Sequence, residues 1–156
     1  IEKIGFSIYS TTELDELLNN YTPEIVQVPY NILDQRIVTS GWLEKLTKLK
    51  VEVHARSIFL QGLLLMTKNE RPKKFSKWSD IWIQWEKYLN SNNYSALQAS
   101  LAFVLKNKKI KKIVIGVQSA NQLKEIMENT SFQITSFPEF DVHDNSLLDP
   151  SKWNQI

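Results

Sequence analysis

Ser7, Arg56 and Gln118 each close a short apolar run and Gln27 stands inside another, and polar neighbours follow them: Tyr30 and Asn31, then Ser57, then Ser119. All but Arg56 are neutral hydrogen-bonding groups. None is a general base with an obvious partner. Proton donation to a carbonyl needs an acid of shifted pKa, such as a tyrosine beside a lysine, and no such pair falls at these positions. The set suits holding an amide and phosphate groups better than breaking a bond. Gln27 interrupts apolar residues and so needs an internal partner or a ligand. Arg56 is the demanding residue, because an unpaired buried guanidinium is costly. It must meet carbonyls, a phosphate, or an internal acid such as Asp34 or Glu52.

The elements that position these residues follow from hydrophobic pattern. Lys3–Ser7, Ile25–Pro29, Val51–Ser57 and Ile113–Val117 are short, β-branched and nearly continuous, as strands buried on both faces read. Each precedes a stretch of helical period. Ser10 and Glu13 form a capping-box pair ahead of Leu14, Leu17 and Leu18, and Ser119 and Gln122 form another ahead of Leu123, Ile126 and Met127. A helix is expected to begin near Ser40 and carry Trp42, Leu43, Leu46 and Leu49. Two more are expected over Ser79–Leu89 and Tyr94–Leu105, with a turn at Ser91–Asn93. From Phe137 onward, Pro138 and Pro150 predict an irregular tail with one short helix.

Strand and helix alternating four times predict an α/β fold with parallel strands and right-handed crossovers. In such folds ligands meet the C-terminal strand ends. Only four glycines occur, widely scattered, so no dinucleotide fingerprint or P-loop exists. One globular domain over residues 1–156 accounts for a chain that is 42% hydrophobic and 23% charged. The absence of cysteine excludes disulfides and thiolate metal sites and makes a reducing cytoplasm the expected location. No run is long enough to span a bilayer as a helix. A net charge of +2 gives no long-range argument for nucleic acid. Ile1 opens almost directly onto an apolar run, which reads as a piece of a longer protein.

The segments KIGFSIYSTTEL, IVQVPYNILDQR, VHARSIFLQGLLL and IVIGVQSANQLKEI resemble, in order and spacing, the second half of an aldo/keto reductase, and SLLDPSKW resembles the tail of bacterial members. That resemblance implies the C-terminal half of an eight-fold (β/α) barrel binding NADP or NAD without a Rossmann domain. Ser7 and Gln27 would then hold the nicotinamide carboxamide. Arg56 stands where an aromatic ring often stacks on the nicotinamide. Ser57, Phe59 and Gln61 would line the pyrophosphate. Gln118, Ser119 and Gln122 would sit by the adenosine ribose or its 2′-phosphate, with Glu125 near the adenine. Two positions depart from the family: Ile8 replaces an asparagine, and Gln122 stands where many NADP-specific members carry a basic residue.

The family's catalytic Asp, Tyr, Lys and His belong to the first half of its barrel. Tyr9, Tyr30, His54 and Lys68 are present here, outside that context. The expectation is therefore a cofactor-binding half of a reductase of aldehydes or ketones, inactive alone, completed by the missing half or by a second copy. A non-catalytic half-barrel that self-associates or pairs with a partner chain is the alternative.

Other features have plainer readings. His54 reads as a neutral core histidine and His143 as a surface residue. Lys106–Lys112 reads as a solvated turn between a helix and the last strand, opposite the strand C-termini. Trp78, Trp82 and Trp85, spaced i, i+4, i+7, read as one core-facing helical stripe.

Overall fold

The computed structural model describes residues 1–156. Four strands form one sheet in the order of the chain: β1 (Gly5–Ser7), β2 (Ile25–Pro29), β3 (Glu52–Arg56) and β4 (Ile110–Ile113). Every neighbouring pair is parallel. Between and after them run α1 (Thr12–Asn20), α2 (Arg36–Thr39), α3 (Trp42–Lys48), α4 (Ser79–Asn92), α5 (Ala96–Lys106), α6 (Ala120–Glu128) and α7 (Asn145–Leu148).

Period-two alternation decides which face the helices cover. Val26, Val28, Val53 and Ala55 are buried against Leu14 of α1, Leu43 and Leu46 of α3, Leu101 and Val104 of α5 and Ile126 of α6. Burying each of these valine, leucine and isoleucine side chains stabilises the fold by about 1.5–3 kcal/mol. The intervening residues, Ser7, Gln27, His54 and Arg56 among them, lie on the other face, which no helix covers. Sequential parallel strands with helices on one side are half of an eight-stranded (β/α) barrel, and the uncovered face is its interior. An open doubly wound sheet would reverse its strand order and bury both faces. The outer edges of β1 and β4 are unpaired.

Several expectations need correction. The fourth strand is Ile110–Ile113, not Ile113–Val117; only Val114, donating its N–H to the Ala55 carbonyl (2.7 Å), extends the pairing. Lys111 and Lys112 of the basic run are therefore strand residues. They are tolerated because this strand lies at the sheet edge and both side chains reach water. The helix expected to begin near Ser40 is α3, which carries Trp42, Leu43 and Leu46 and ends just before Leu49; the short α2, separated from it by Gly41 with φ +77°, was not expected. His54 is not enclosed in the core: it lies half-buried on the open face, its Nε2 2.8 Å from Glu52 Oε1.

A second core lies outside the sheet, around α4. Trp78, Trp82 and Trp85 are buried there, and each indole finds a partner: Asp144 Oδ2 (3.1 Å), the Phe75 carbonyl (2.9 Å) and the Leu64 carbonyl (3.0 Å). Trp78 precedes α4, at the end of a 3-10 turn over Lys73–Trp78. The tail closes this core with α7 and a 3-10 turn over Pro150–Gln155. His143 is exposed and paired with Asp141. No helix is long and apolar enough to cross a membrane.

Candidate functional site

Ser7, at the end of β1, is the register partner of Gln27 in the middle of β2, and Ser7 Oγ donates to Gln27 Oε1 at 3.2 Å. The Gln27 amide nitrogen has no protein acceptor. The pair thus offers an amide NH2 with both N–H donors free and hydroxyl lone pairs, which is complementary to a primary carboxamide.

Arg56 projects from the same face at the tip of β3. One Nη donates to the Ile8 carbonyl (3.0 Å), the other to Ser57 Oγ (3.1 Å), and the guanidinium lies 4.4 Å from the centre of the Tyr9 ring. Neither expected acid meets it. Asp34 is held by Arg36 through two hydrogen bonds of 2.8 and 2.7 Å, which raises the Arg36 pKa. Glu52 is hydrogen-bonded to Lys3 and His54, in that order of strength, and its pKa is pulled down to about 2. Arg56 therefore keeps its whole charge, and of its five N–H groups only two have protein acceptors.

The chain beyond Arg56 supplies further donors. Ser57 (φ +54°), Leu60 (+47°), Gln61 (+54°) and Gly62 (+85°) all adopt left-handed backbone. For non-glycine residues each costs on the order of 1–2 kcal/mol, so the loop needs anchors. Leu60, Leu63 and Leu64 are buried in the second core, Trp85 holds the Leu64 carbonyl, and Asn31 Nδ2 donates to the Ser57 carbonyl at 3.0 Å. Fully buried Asn31 is fixed in turn, because its Oδ1 accepts from the N–H groups of Leu33 and Asp34, both at 2.9 Å. In this conformation the N–H groups of Ser57, Ile58, Phe59, Gln61 and Gly62 donate to no protein group. Unpaired backbone donors in the loop that follows a guanidinium without an acidic partner have the chemistry to donate hydrogen bonds to an oxyanion.

The remaining expected residues form a separate group at the start of α6. Ser119 Oγ accepts from the Gln122 N–H at 3.2 Å, while Gln122 Oε1 accepts from the Gln118 N–H at 2.8 Å instead of from Ser119. The N–H groups of Ser119, Ala120 and Asn121 are left free at the positive end of the helix. Glu125 lies one turn further on, exposed; its carboxylate makes no hydrogen bond, and its backbone carbonyl accepts from Asn129. Phe59 is half-buried against the sheet core and Gln61 is exposed at the loop tip. No hydrogen bond joins the α6 group to the strand-tip group.

The sequence profile of the aldo/keto reductase family matches residues 1–142. The chain belongs to this family. Among solved structures, a thermostable aldo-keto reductase in complex with the inhibitor epalrestat is similar at 22% identity and a TM-score of 0.60, over 86% of this chain and 45% of that one. The holo form of an aldo-keto reductase from Bacillus halodurans gives 19% identity and a TM-score of 0.62, over 84% and 45%. Its apo form gives 18% and 0.62, over 83% and 46%. This aldo/keto reductase chain thus spans about half the length of the structures it matches. No curated protein matches it.

Side-chain reasoning on this family member missed three contributors: Tyr9 beneath Arg56, Asn31 as the bracket of Ser57, and the loop's own N–H groups. For Asn31 the signal was local, since an Asn followed by a tight turn to Asp34 is an Asx-type bracket.

Proposed function

We propose that this chain is the C-terminal, cofactor-binding half of an NAD(P)H-dependent oxidoreductase that reduces aldehydes or ketones. The observation that carries the reading is the Arg56 guanidinium, which has no acidic partner, together with five backbone N–H groups of the following loop that donate to no protein group. A diphosphate is the group that such a donor set fits. Ser57, Phe59 and Gln61 would line it, and Ser7 and Gln27 would take the carboxamide. Gln118, Ser119 and Gln122 would face the ribose or its 2′-phosphate, with Glu125 near the adenine. NADP or NAD, when bound, supplies the hydride. This chain's residues bind and orient; they move no proton, because Tyr9 and Tyr30 each lack the neighbouring lysine that would make one an acid. Tyr30, hydrogen-bonded to Asn107, has its pKa raised by burial. The proton to the carbonyl would come from groups outside the chain, so we expect no turnover by the chain alone. The cysteine-free composition fits a cytoplasmic setting.

Titration of the purified chain with NADPH, followed by tryptophan fluorescence, tests the reading. Saturable binding, weakened about tenfold or more by Arg56→Met, is expected, with no aldehyde-dependent loss of NADPH absorbance. A folded chain that shows no saturation at millimolar NADPH would refute it.

The free edges of β1 and β4 support a second reading, a half-barrel module completed by another chain or a second copy. Sedimentation separates the cases: a dimer that binds no nucleotide favours the module.

A further inference from the structure

The connection from β3 to α4 builds a cleft that the strand-tip site does not use. We propose that this cleft, between residues 68–76 and the outer face of α4, is a second small-molecule site that takes an apolar carboxylate. Its floor is apolar: Phe75 and Trp82 are buried beneath it, Pro72 flanks them, and Ile83 stands at its mouth 61% exposed with no partner in the fold. The cavity holds about 260 Å³. That is just under the roughly 300–1,000 Å³ of pockets for drug-sized ligands, which sizes the occupant to one ring with a short chain.

The polar groups fix the sign of the ligand's head. Arg71 lines the cleft with only 6% of its side chain exposed and its guanidinium 4.4 Å from the centre of the Trp82 ring. It donates to Glu86 Oε1 at 3.2 Å and to the Met66 carbonyl at 2.9 Å. Its other N–H groups have no acceptor, and its Nε is closed to water as well. A buried guanidinium with one weak acid contact is an under-satisfied cation, and desolvation makes a second anion worth more there than at the surface. Lys68 and Lys73 stand on the rim without acidic partners. Three cations thus surround one carboxylate. A bare inorganic anion would leave the aromatic floor unused, and a neutral arene would leave the cations unpaired. A carboxylate on a ring or short acyl chain satisfies both. None of the residues assigned to the nucleotide lines this cleft, so the two sites stand or fall separately.

The probe is 3-phenylpropionate, with 3-phenylpropionamide as its uncharged match, each titrated against the whole chain. The reporter is the indole N–H resonance of Trp82, held by its bond to the Phe75 carbonyl. The expected result is a saturable shift, with the acid binding at least fivefold more tightly than the amide and NADPH failing to displace it. The double variant Lys68→Gln, Lys73→Gln changes only exposed side chains and should bring the acid-to-amide preference down about threefold or more. Ile83→Asp, also exposed, should abolish the shift. Equal affinity for acid and amide, a preference unchanged in the double variant, displacement by NADPH, or no saturable shift would each overturn the proposal.

Discussion

Replacing Asn31 with alanine should show how the strand-tip loop is held in its left-handed conformation. Asn31 is fully buried, and its side chain serves three backbone groups: it accepts from Leu33 and Asp34 and donates to the Ser57 carbonyl. Leu33 and Asp34 are themselves buried, so water cannot replace the lost acceptor. Each buried group left unsatisfied costs about 1–3 kcal/mol. Two N–H groups at the low end, plus the partly accessible Ser57 carbonyl, give a destabilisation of about 3 kcal/mol. With a urea dependence of about 2 kcal/mol per molar for a domain of this size, the unfolding midpoint should fall by about 1.5 M. Ser57→Ala is the control, since it removes the hydroxyl beside Arg56 and keeps the carbonyl that Asn31 holds; it should cost less than about 1 kcal/mol. Urea unfolding followed by tryptophan fluorescence reads both. A shift below about 0.5 M for Asn31→Ala, equivalent to about 1 kcal/mol, would mean that the Leu33 and Asp34 N–H groups find other acceptors. The bracket would then not be what holds the loop.

Two further perturbations test the sheet. Gly5→Ala should break the β1–β2 ladder, because a Cβ there would lie 2.4 Å from the Ile25 carbonyl oxygen and 2.7 Å from Ile25 Cβ; hydrogen exchange at Ile8, whose N–H donates to the Gln27 carbonyl, should accelerate, and unchanged protection would refute this. Glu52 has its pKa lowered from 4.5 to about 2 by Lys3 and then His54. A depressed folded-state pKa contributes stability above the unfolded value and loses it as pH falls toward the folded one. The melting temperature of the natural chain should therefore fall more steeply between pH 4.5 and 2 than that of Glu52→Gln, and parallel curves would show that the ion pairs carry no folding energy.

The alternation of strand and helix was legible because it rests on local pattern. β-branched runs such as Ile25–Pro29 can be buried on a sheet, and the capping of Ser119 on Gln122 is settled within four residues. The tryptophan stripe was legible for the same reason, since helical spacing puts Trp82 and Trp85 on one side of α4 wherever that helix packs. The start of β4 was not legible. Ile113–Val117 is more apolar than Ile110–Ile113, but pairing with β3 selects the segment whose backbone lies beside Val53–Ala55, and an edge strand does not need apolar side chains at Lys111 and Lys112.

The residue sequence by itself determined which polar groups of the first three strands share the open face, because period-two alternation fixes the side on which Ser7, Gln27 and Arg56 emerge. Only the tertiary structure decided what those groups meet. Asp34 sits two residues from Arg36 and is captured locally, which leaves Arg56 to the Ser57 hydroxyl and the Ile8 backbone carbonyl, and no side-chain pattern announces the latter. The free N–H groups of the loop after Arg56 likewise belong to the backbone. They exist because the buried leucines, Trp85 and Asn31 force left-handed turns on residues whose side chains carry no sign of it.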